Sequence, residues 1–182
     1  MNDMTAQNLR SAYGGESQAH MRYKAWGDKA LKDGFPTVAT LFSAISYAEE
    51  IHAKGHFRLL KDVKGDFLVA SGAGFGIGTT SENLQGAADG ELFEVDQMYP
   101  AYLAVAEAQE EKAAANLMKG IIEAEKTHAN LYLRAKEYTD AGKDAEFTNI
   151  HVCEVCGYAA EGEMVDRCPI CNAANDKFRV FK

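Results

Sequence analysis

Apolar residues recur every three or four positions through most of residues 1–140, which is the spacing of amphipathic helices. The pattern predicts four helices, at Thr5 to about Lys32, Pro36 to about Val63, Thr80 or Ser81 through Val105, and about Ala108 to Tyr138. Thr5 is expected to cap the first helix, and Pro36 suits a first helical turn. Pro100 is expected to kink or interrupt the third helix.

The connections between these helices predict how they pack. The turn at 33–36 is short, so the first two helices should be antiparallel neighbours. Residues 71–80 are too glycine-rich for a helix, and they do not match a phosphate-binding loop, because no strand precedes them and no Lys-Ser or Lys-Thr follows. A long connection there lets the second and third helices run parallel. The predicted fold is mainly α, a ferritin-like four-helix bundle with one long crossover.

Each predicted helix carries one or two acidic or histidine residues on its apolar face. A carboxylate at such a position would be strongly destabilising if it were ionised and unpaired. One Glu-x-x-His pair alone is usually a solvated pair on a helix surface, but residues three apart share a face and can hold one ion together. In chain order the elements are Glu16, Glu49-x-x-His52, Glu91-x-x-Glu94 and Glu125-x-x-His128. Four such elements in register predict a two-metal site inside the bundle.

The ligand types indicate which metal this site would hold. Many carboxylates with only two imidazoles suit iron or manganese better than zinc or copper. Two adjacent ferrous ions can supply both electrons needed to split an O–O bond. The chemistry suggested is therefore reduction of peroxide or dioxygen.

Composition narrows the function classes. The 182 residues carry a formal net charge of -8, which disfavours a nucleic-acid surface or an anionic membrane face as partner. No apolar run has the length of a membrane span, and the polar first residues lack the layout of a signal peptide, so a cytoplasmic location is expected. All four cysteines fall in the last 30 residues, where the composition changes after a linker at 144–149.

Two Cys-x-x-Cys units, separated by eleven residues, predict one tetrahedral thiolate site formed by Cys153, Cys156, Cys168 and Cys171. Gly157 and Asn172 follow the two pairs and tolerate a left-handed backbone, which would turn loop amides toward the sulfurs. The spacing alone leaves iron and zinc open, because a zinc ribbon uses the same pattern. A zinc ion would then serve only to hold together a domain too small to fold on its own core.

In both halves, and over nearly its whole length, the chain resembles the rubrerythrin family. The four bundle elements are similar to that family's di-iron ligands, and the Cys-Gly-Tyr and Cys-Pro-x-Cys sequences are similar to rubredoxin loops. The resemblance implies a ferritin-like di-iron bundle at 1–147 and a rubredoxin-like iron domain at 148–182. It favours iron over zinc in the cysteine site, although zinc could be loaded on expression in a foreign host.

The resemblance also implies an activity. Such a protein would be an NAD(P)H-linked peroxidase that reduces hydrogen peroxide to water in oxidative stress defence. Electrons would arrive from rubredoxin or an NAD(P)H-dependent flavin reductase and pass through the cysteine-bound iron. Two other readings remain open at this point: a ferroxidase that handles iron, and a non-catalytic binding module with a zinc ribbon.

Roles for individual residues follow from the same resemblance. His52 would bind iron in the reduced state, and Glu94 would replace it in the oxidised state. Tyr23 and Tyr99 would donate hydrogen bonds to ligand carboxylates near the cluster. The permanent ligands would be Glu16, Glu49, Glu91, Glu125 and His128, with Glu49 and Glu125 bridging.

The remaining histidines and the quaternary structure are predicted separately. We expect His56 at the core edge or facing a partner, His151 on the surface of the cysteine domain, His20 outside the site, and Trp26 in packing. The resemblance implies a dimer in which the cysteine-bound iron of one subunit approaches the di-iron site of the other. A head-to-tail homodimer is therefore expected, because a monomer whose two sites are far apart would transfer electrons slowly.

Overall fold

The computed structural model describes residues 1–182 and contains four long helical arms followed by a small sheet. The helices are α1 (Asp3–Asp33), α2 (Pro36–Leu59), α3 (Thr80–Phe93), α4 (Tyr99–Ala108) and α5 (Lys112–Asp140). α3 and α4 are joined by a π-helical segment, Glu94–Met98, and together form the third arm. The predicted four-helix bundle is confirmed. None of the helices combines the length and apolarity needed to cross a membrane.

The N-cap residues of α1 and α3 differ from the predicted ones. Asn2, not Thr5, occupies the cap position of α1, and it makes no side-chain capping bond. Thr5 lies inside the helix, buried, and its hydroxyl donates to Gln109 Oε1 at 2.6 Å, which ties the start of α1 to the end of α4. The sequence favours Thr80 or Ser81 as the cap of α3, but Thr80 is already the first helical residue, and the cap is Thr79, which forms a reciprocal capping box with Glu82.

The third arm is interrupted just before Pro100, where the sequence predicts a kink or break. Pro100 lies in the first turn of α4, and the five residues of the π segment directly precede Tyr99, the first residue of α4. A π turn inserts extra backbone into a helix, and such segments occur frequently at functional sites. Glu94, one of the predicted ligands, is the first residue of this segment.

The crossover between α2 and α3 is held along α1. α2 ends at Leu59, short of the predicted Val63, and residues 63–79 form neither helix nor strand, which confirms the prediction for 71–79. Gln18 Nε2 donates to Gly74 O at 2.8 Å, and Trp26 Nε1 donates to Gly76 O at 2.9 Å. Trp26 is therefore packed, as expected, and also hydrogen-bonded to the crossover.

The last residues form a three-stranded antiparallel sheet in the order β2-β1-β3, with β1 at Ile150–Cys153, β2 at Ala159–Glu161 and β3 at Phe178–Phe181. β1 packs on the bundle, because Ile150 and Val152 belong to the same buried apolar cluster as residues of α2. The linker at 144–149 is also bound to the bundle. The Asp144 carboxylate accepts hydrogen bonds from the amides of Thr37 and Val38 at the start of α2.

The bundle core consists of two apolar clusters with a polar layer between them. One cluster includes Tyr23 and Tyr132, and the other includes Leu9, Tyr99 and Ile121. Between the two clusters lie Glu16 on α1, and Glu125 and His128 on α5, which are three of the predicted metal ligands. The layer is thus closed on both sides by apolar side chains.

Candidate metal centres

Six predicted ligands meet in the polar layer, and each is at most 1% exposed: Glu16, Glu49, His52, Glu91, Glu125 and His128. They form two groups whose ligand atoms lie within 4.8 Å of one another. The first group is Glu16, Glu49, His52 and Glu125, and the second is Glu49, Glu91, Glu125 and His128. Glu49 and Glu125 belong to both groups, which is the geometry that two bridging carboxylates require.

Both histidines direct Nδ1 into the layer. His52 Nδ1 lies 2.7 Å from Glu125 Oε1, and His128 Nδ1 lies 2.5 Å from Glu125 Oε2. Their other ring nitrogens face backbone carbonyls, with His52 Nε2 at 3.0 Å from Cys156 O and His128 Nε2 at 2.9 Å from Gly157 O. A carbonyl only accepts hydrogen bonds, so each Nε2 carries a proton and each Nδ1 is the nitrogen available to a metal.

The layer fits metal ions because its polar atoms lack other partners. Several buried atoms find no hydrogen-bond partner outside the layer and face only one another: Glu16 Oε2, Glu49 Oε1, Glu91 Oε2, both Glu125 oxygens, His52 Nδ1 and His128 Nδ1. Buried carboxylates are strongly destabilising unless a cation or a proton neutralises them. Burial raises the pKa of Glu16, Glu91 and Glu94 well above the usual range, with neighbouring carboxylates adding to the effect.

The same charges act on the histidines. Burial alone would lower the pKa of His52, but the Glu125 and Glu49 carboxylates outweigh it and raise the pKa to about 10. The pKa of His128 is also raised well above its usual value, again mainly by Glu125 against the effect of burial. Both rings therefore hold two protons at neutral pH when no metal is bound.

We expect metal loading of the bundle to release protons. A metal needs the Nδ1 lone pairs of His52 and His128. The raised pKa of each ring, about 10 for His52, keeps Nδ1 protonated at neutral pH in the metal-free chain. Metal affinity should therefore rise with pH through the neutral range. Calorimetric titration of Mn²⁺ in two buffers of different ionisation enthalpy checks this, and equal heats in both buffers would contradict it.

The two predicted tyrosines contact ligand carboxylates. Tyr23 donates its hydroxyl proton to Glu91 Oε1 at 2.6 Å, and Tyr99 makes a short hydrogen bond to Glu16 Oε1. Burial raises the pKa of both phenols well above the usual value, with Glu91 and Glu16 adding to it, so both stay protonated and can keep donating. Neither contact is evident from sequence periodicity.

Glu94 stands apart from the six grouped ligands. One of its oxygens, Oε2, is buried without a partner, but the residue belongs to neither group of converging atoms, whereas His52 belongs to the first.

The prediction for His56 is wrong. It lies in the core, with none of its surface exposed, and its Nε2 is 2.8 Å from the Tyr99 hydroxyl and 3.7 Å from Glu16 Oε1. Burial lowers its pKa to about 3, and the nearby His52 contributes, so the ring is neutral. The signal was present in the sequence, because His56 follows His52 by four residues on the same apolar stripe. His20 instead contacts Ser46, outside the layer.

The four cysteines converge as predicted, with their sulfurs within 4.8 Å of one another. All are free thiols, and the sulfurs of Cys153 and Cys171 are 3.6 Å apart, while those of Cys156 and Cys168 are 3.5 Å apart. Gly157 and Asn172 have φ of 79° and 61°, the left-handed conformations expected from the sequence. This arrangement suits one tetrahedral metal ion.

The thiol of Cys153 is more acidic than an ordinary cysteine thiol. The Cys156 thiol and the backbone amides of Val155 and Cys156 lower its pKa to about 5, against the effect of burial.

The prediction that His151 lies on the surface of the cysteine domain is wrong, because the residue is only 4% exposed and its Nε2 lies 2.5 Å from Gly162 O. It is therefore part of the small domain's interior.

The two metal centres are neighbours within one chain. The loop that follows Cys153 lies on the bundle, where the carbonyls of Cys156 and Gly157 meet the two ligand histidines. Arg134 pairs with Glu161 at 2.7 Å beside this contact. The family resemblance implies a homodimer, and a monomer whose two sites are far apart would transfer electrons slowly. A dimer is not needed to bring them together, and it stays a prediction.

Comparison with known proteins identifies the family. A sequence model of the rubrerythrin family matches residues 7–136, and one of the rubrerythrin rubredoxin-like domain matches residues 151–179. The chain belongs to the rubrerythrin family. This rubrerythrin is 48% identical to Rubrerythrin-2 of Clostridium acetobutylicum, over 99% of this chain and 98% of that protein. It is 33% identical to nigerythrin of Nitratidesulfovibrio vulgaris, over 97% and 86%.

Solved structures agree with this assignment. The all-ferrous, fully reduced structure of nigerythrin superposes with a TM-score of 0.88 at 31% identity, covering 100% of this rubrerythrin and 88% of that chain. The ferritin-like bundle and the rubredoxin-like domain are thereby confirmed. The cofactors are two iron ions in the carboxylate layer and one iron ion bound by four cysteines, and both sets of ligand atoms fit them.

Proposed function

We propose that this rubrerythrin is a peroxidase that reduces hydrogen peroxide to water with electrons relayed through its four-cysteine iron. One observation carries the proposal. Cys156 provides a sulfur of the four-cysteine site, and its own carbonyl accepts a hydrogen bond from His52, a residue of the carboxylate layer. A single residue and one hydrogen bond thus connect the two centres. An iron store has no need for such a connection.

We assign residues 1–147 to the di-iron unit and residues 148–182 to the four-cysteine unit. One ion would be held by Glu16, Glu49, His52 and Glu125, and the other by Glu49, Glu91, Glu125 and His128. The single ion would be held by Cys153, Cys156, Cys168 and Cys171. When bound, the ferrous pair supplies the two electrons that reductive cleavage of an O–O bond requires.

The overall reaction consumes one hydrogen peroxide, two electrons and two protons, and gives two water molecules. The protein excludes bulk water from the layer, because the six grouped residues are almost fully buried. Tyr23 and Tyr99 orient Glu91 and Glu16 through hydroxyl protons that their raised pKa values keep in place at neutral pH. His56, which is neutral, holds the Tyr99 hydroxyl from its other side.

Glu94 is proposed as the exchanging ligand. Its buried Oε2 has no partner, and burial raises its pKa, so in the metal-free chain it holds a proton beside the layer. Loss of that proton would give a carboxylate that balances added positive charge better than the neutral ring of His52 does. Glu94 and His52 would therefore alternate as ligands, which requires the π segment to accommodate movement.

The electron donor is proposed to be rubredoxin or an NAD(P)H-dependent flavin reductase, acting at the cysteine domain. Cys156 and Cys171 are only partly buried, so this edge of the site is open to a partner. A donor that docks at this edge would deliver its electron to the sulfur side of the cysteine loop, and the ligand histidines contact the opposite, carbonyl side of the same loop.

Turnover measurements should separate this function from iron handling. With a reductase and NAD(P)H, we expect one peroxide to be consumed for each NAD(P)H oxidised, since both reactions involve two electrons. The iron-loaded chain should not take up ferrous iron beyond its three bound ions. Accumulation of ferric mineral with excess ferrous iron, without reductant-coupled peroxide loss, would instead establish the ferroxidase alternative.

A further inference from the structure

Two consecutive backbone carbonyls of the cysteine domain hold both histidines of the carboxylate layer. His52 Nε2 donates to Cys156 O at 3.0 Å, and His128 Nε2 donates to Gly157 O at 2.9 Å. The two rings are stacked, with centroids 5.7 Å apart and planes inclined by 24°. These contacts fix which nitrogen of each ring carries the proton, and they aim both Nδ1 atoms into the layer.

The carbonyls of Cys156 and Gly157 point toward the two histidines because of the conformation of the loop between Cys153 and Tyr158. The loop closes through Gly157 N to Cys153 O at 2.9 Å and Cys153 N to Tyr158 O at 2.8 Å. Two of its residues, Cys153 and Cys156, supply sulfurs to the metal site. The apolar core around that site contains only three buried residues, two of them cysteines. The bound metal must therefore supply much of the energy that holds the loop in this shape.

We propose that the two metal sites are thermodynamically coupled, so that a metal in the four-cysteine site raises the affinity of the carboxylate layer for its own ions. The coupling acts through the carbonyls of Cys156 and Gly157. Removing a hydrogen-bond partner of a ligand histidine typically lowers metal affinity about 10–100-fold. The enhancement should be of that order. It does not depend on the peroxidase function, since it concerns binding alone.

Gly157 is the positioning residue for this coupling. A Cβ atom placed on it would lie 2.1 Å from His52 Nε2 and 2.7 Å from His52 Cδ2, so no side chain fits while the histidine remains in place. His52 cannot yield easily, because its ring is buried and its Nδ1 is 2.7 Å from Glu125. The absence of a side chain is what allows the loop to approach the ring.

The full-length, metal-free chain with reduced thiols provides the test. One equivalent of Zn²⁺ fills the four-cysteine site, because zinc prefers thiolate ligands. Mn²⁺ is then titrated in, and the electron paramagnetic resonance signal of free Mn²⁺ measures its affinity for the carboxylate layer. We expect Mn²⁺ to bind about 10–100-fold more tightly with zinc than without it.

Two glycine variants separate coupling from general damage. Gly157→Ala keeps all four cysteines but clashes with His52, so Mn²⁺ affinity should be low with or without zinc. Gly162→Ala is the matched control. Gly162 also has a positive φ, 91°, and lies in the same domain, but nothing lies within 4 Å of its added Cβ, so the zinc effect should persist.

A reverse titration needs no variant. Because coupling is reciprocal, saturating Mn²⁺ should raise the affinity of the wild-type chain for Zn²⁺ by the same factor. Equal Mn²⁺ affinities with and without zinc in the wild type would overturn the proposal. Full zinc enhancement in Gly157→Ala would overturn the role of the loop contact.

Discussion

Replacing Glu125 with Gln is expected to remove both iron ions from the bundle. The Glu125 carboxylate belongs to both ligand groups, with one oxygen 2.7 Å from His52 Nδ1 and the other 2.5 Å from His128 Nδ1. An amide of the same shape has no charge and only one accepting oxygen, so it cannot bridge. Because the chemistry depends on the metal pair, peroxide reduction should fall at least about 100-fold.

Iron content and reductant-coupled peroxide consumption measure this effect. Glu123→Gln is the matched control, because Glu123 lies on the same helix but is exposed and pairs with Lys126 on the surface. It should keep its iron and its activity. The Glu125 variant should remain folded, since it removes a buried charge from an already crowded layer. Retention of two bundle ions by Glu125→Gln would contradict the assignment of that residue as a bridge.

Replacing Cys168 with Ser is expected to reduce reductant-coupled peroxide consumption to background while leaving the bundle folded. Cys168 is 3% exposed and forms the domain's small core with Cys153 and Phe178. Without the metal, the two cysteine loops should lose order. The β1 strand should stay in place, because Ile150 and Val152 pack into the bundle's apolar cluster.

Hydrogen exchange and turnover measure both parts of this prediction. Amides of the cysteine loops should exchange rapidly in Cys168→Ser, whereas those of β1 and the bundle helices should stay protected. Glu163→Gln, an exposed change in the same domain, should leave exchange and turnover unaltered. If Cys168→Ser retained wild-type turnover with the reductase, the cysteine site would not be the electron entry.

The bundle could be predicted from the sequence because its ligands occupy apolar stripes at helical spacing. Glu49 with His52, and Glu125 with His128, are each three residues apart, and helix geometry alone puts both members on one face. The cysteine site was equally predictable, because the spacing of its two pairs satisfies tetrahedral ligation. Pro100 marked the interruption of the third arm, although no local rule specified a π segment in front of it.

The contact between the two domains could not be predicted in this way. The contact is made by the backbone carbonyls of Cys156 and Gly157. Because every residue has a backbone carbonyl, no pattern of side chains predicts this contact. Gly157 was expected to be left-handed, but its closeness to His52 appears only in three dimensions. His151 shows the same limit, because its burial depends on Gly162, a partner eleven residues away on an adjacent part of the sheet domain.

The linker shows that polar composition does not imply a loose segment. Residues 144–149 look like a connection in the sequence, yet Ala145 and Phe147 are buried against the bundle. Asp144 binds the free amides at the start of α2, which are the groups that a helix leaves unpaired. This interaction joins residues more than 100 positions apart in the chain, beyond the reach of local patterns.

Electron transfer from the cysteine iron through the bundle to peroxide is tested most directly by an anaerobic stopped-flow experiment. The iron-loaded, fully reduced chain is mixed with hydrogen peroxide, and the visible thiolate-to-iron charge-transfer bands of the cysteine site are followed. These bands should appear rapidly in the wild type, and they should be lost in Cys153→Ser and when Glu94 and His128 are both replaced. Absence of the bands in the wild type, or an unchanged rate after loss of the bundle ligands, would contradict electron transfer from the cysteine iron through the bundle to peroxide.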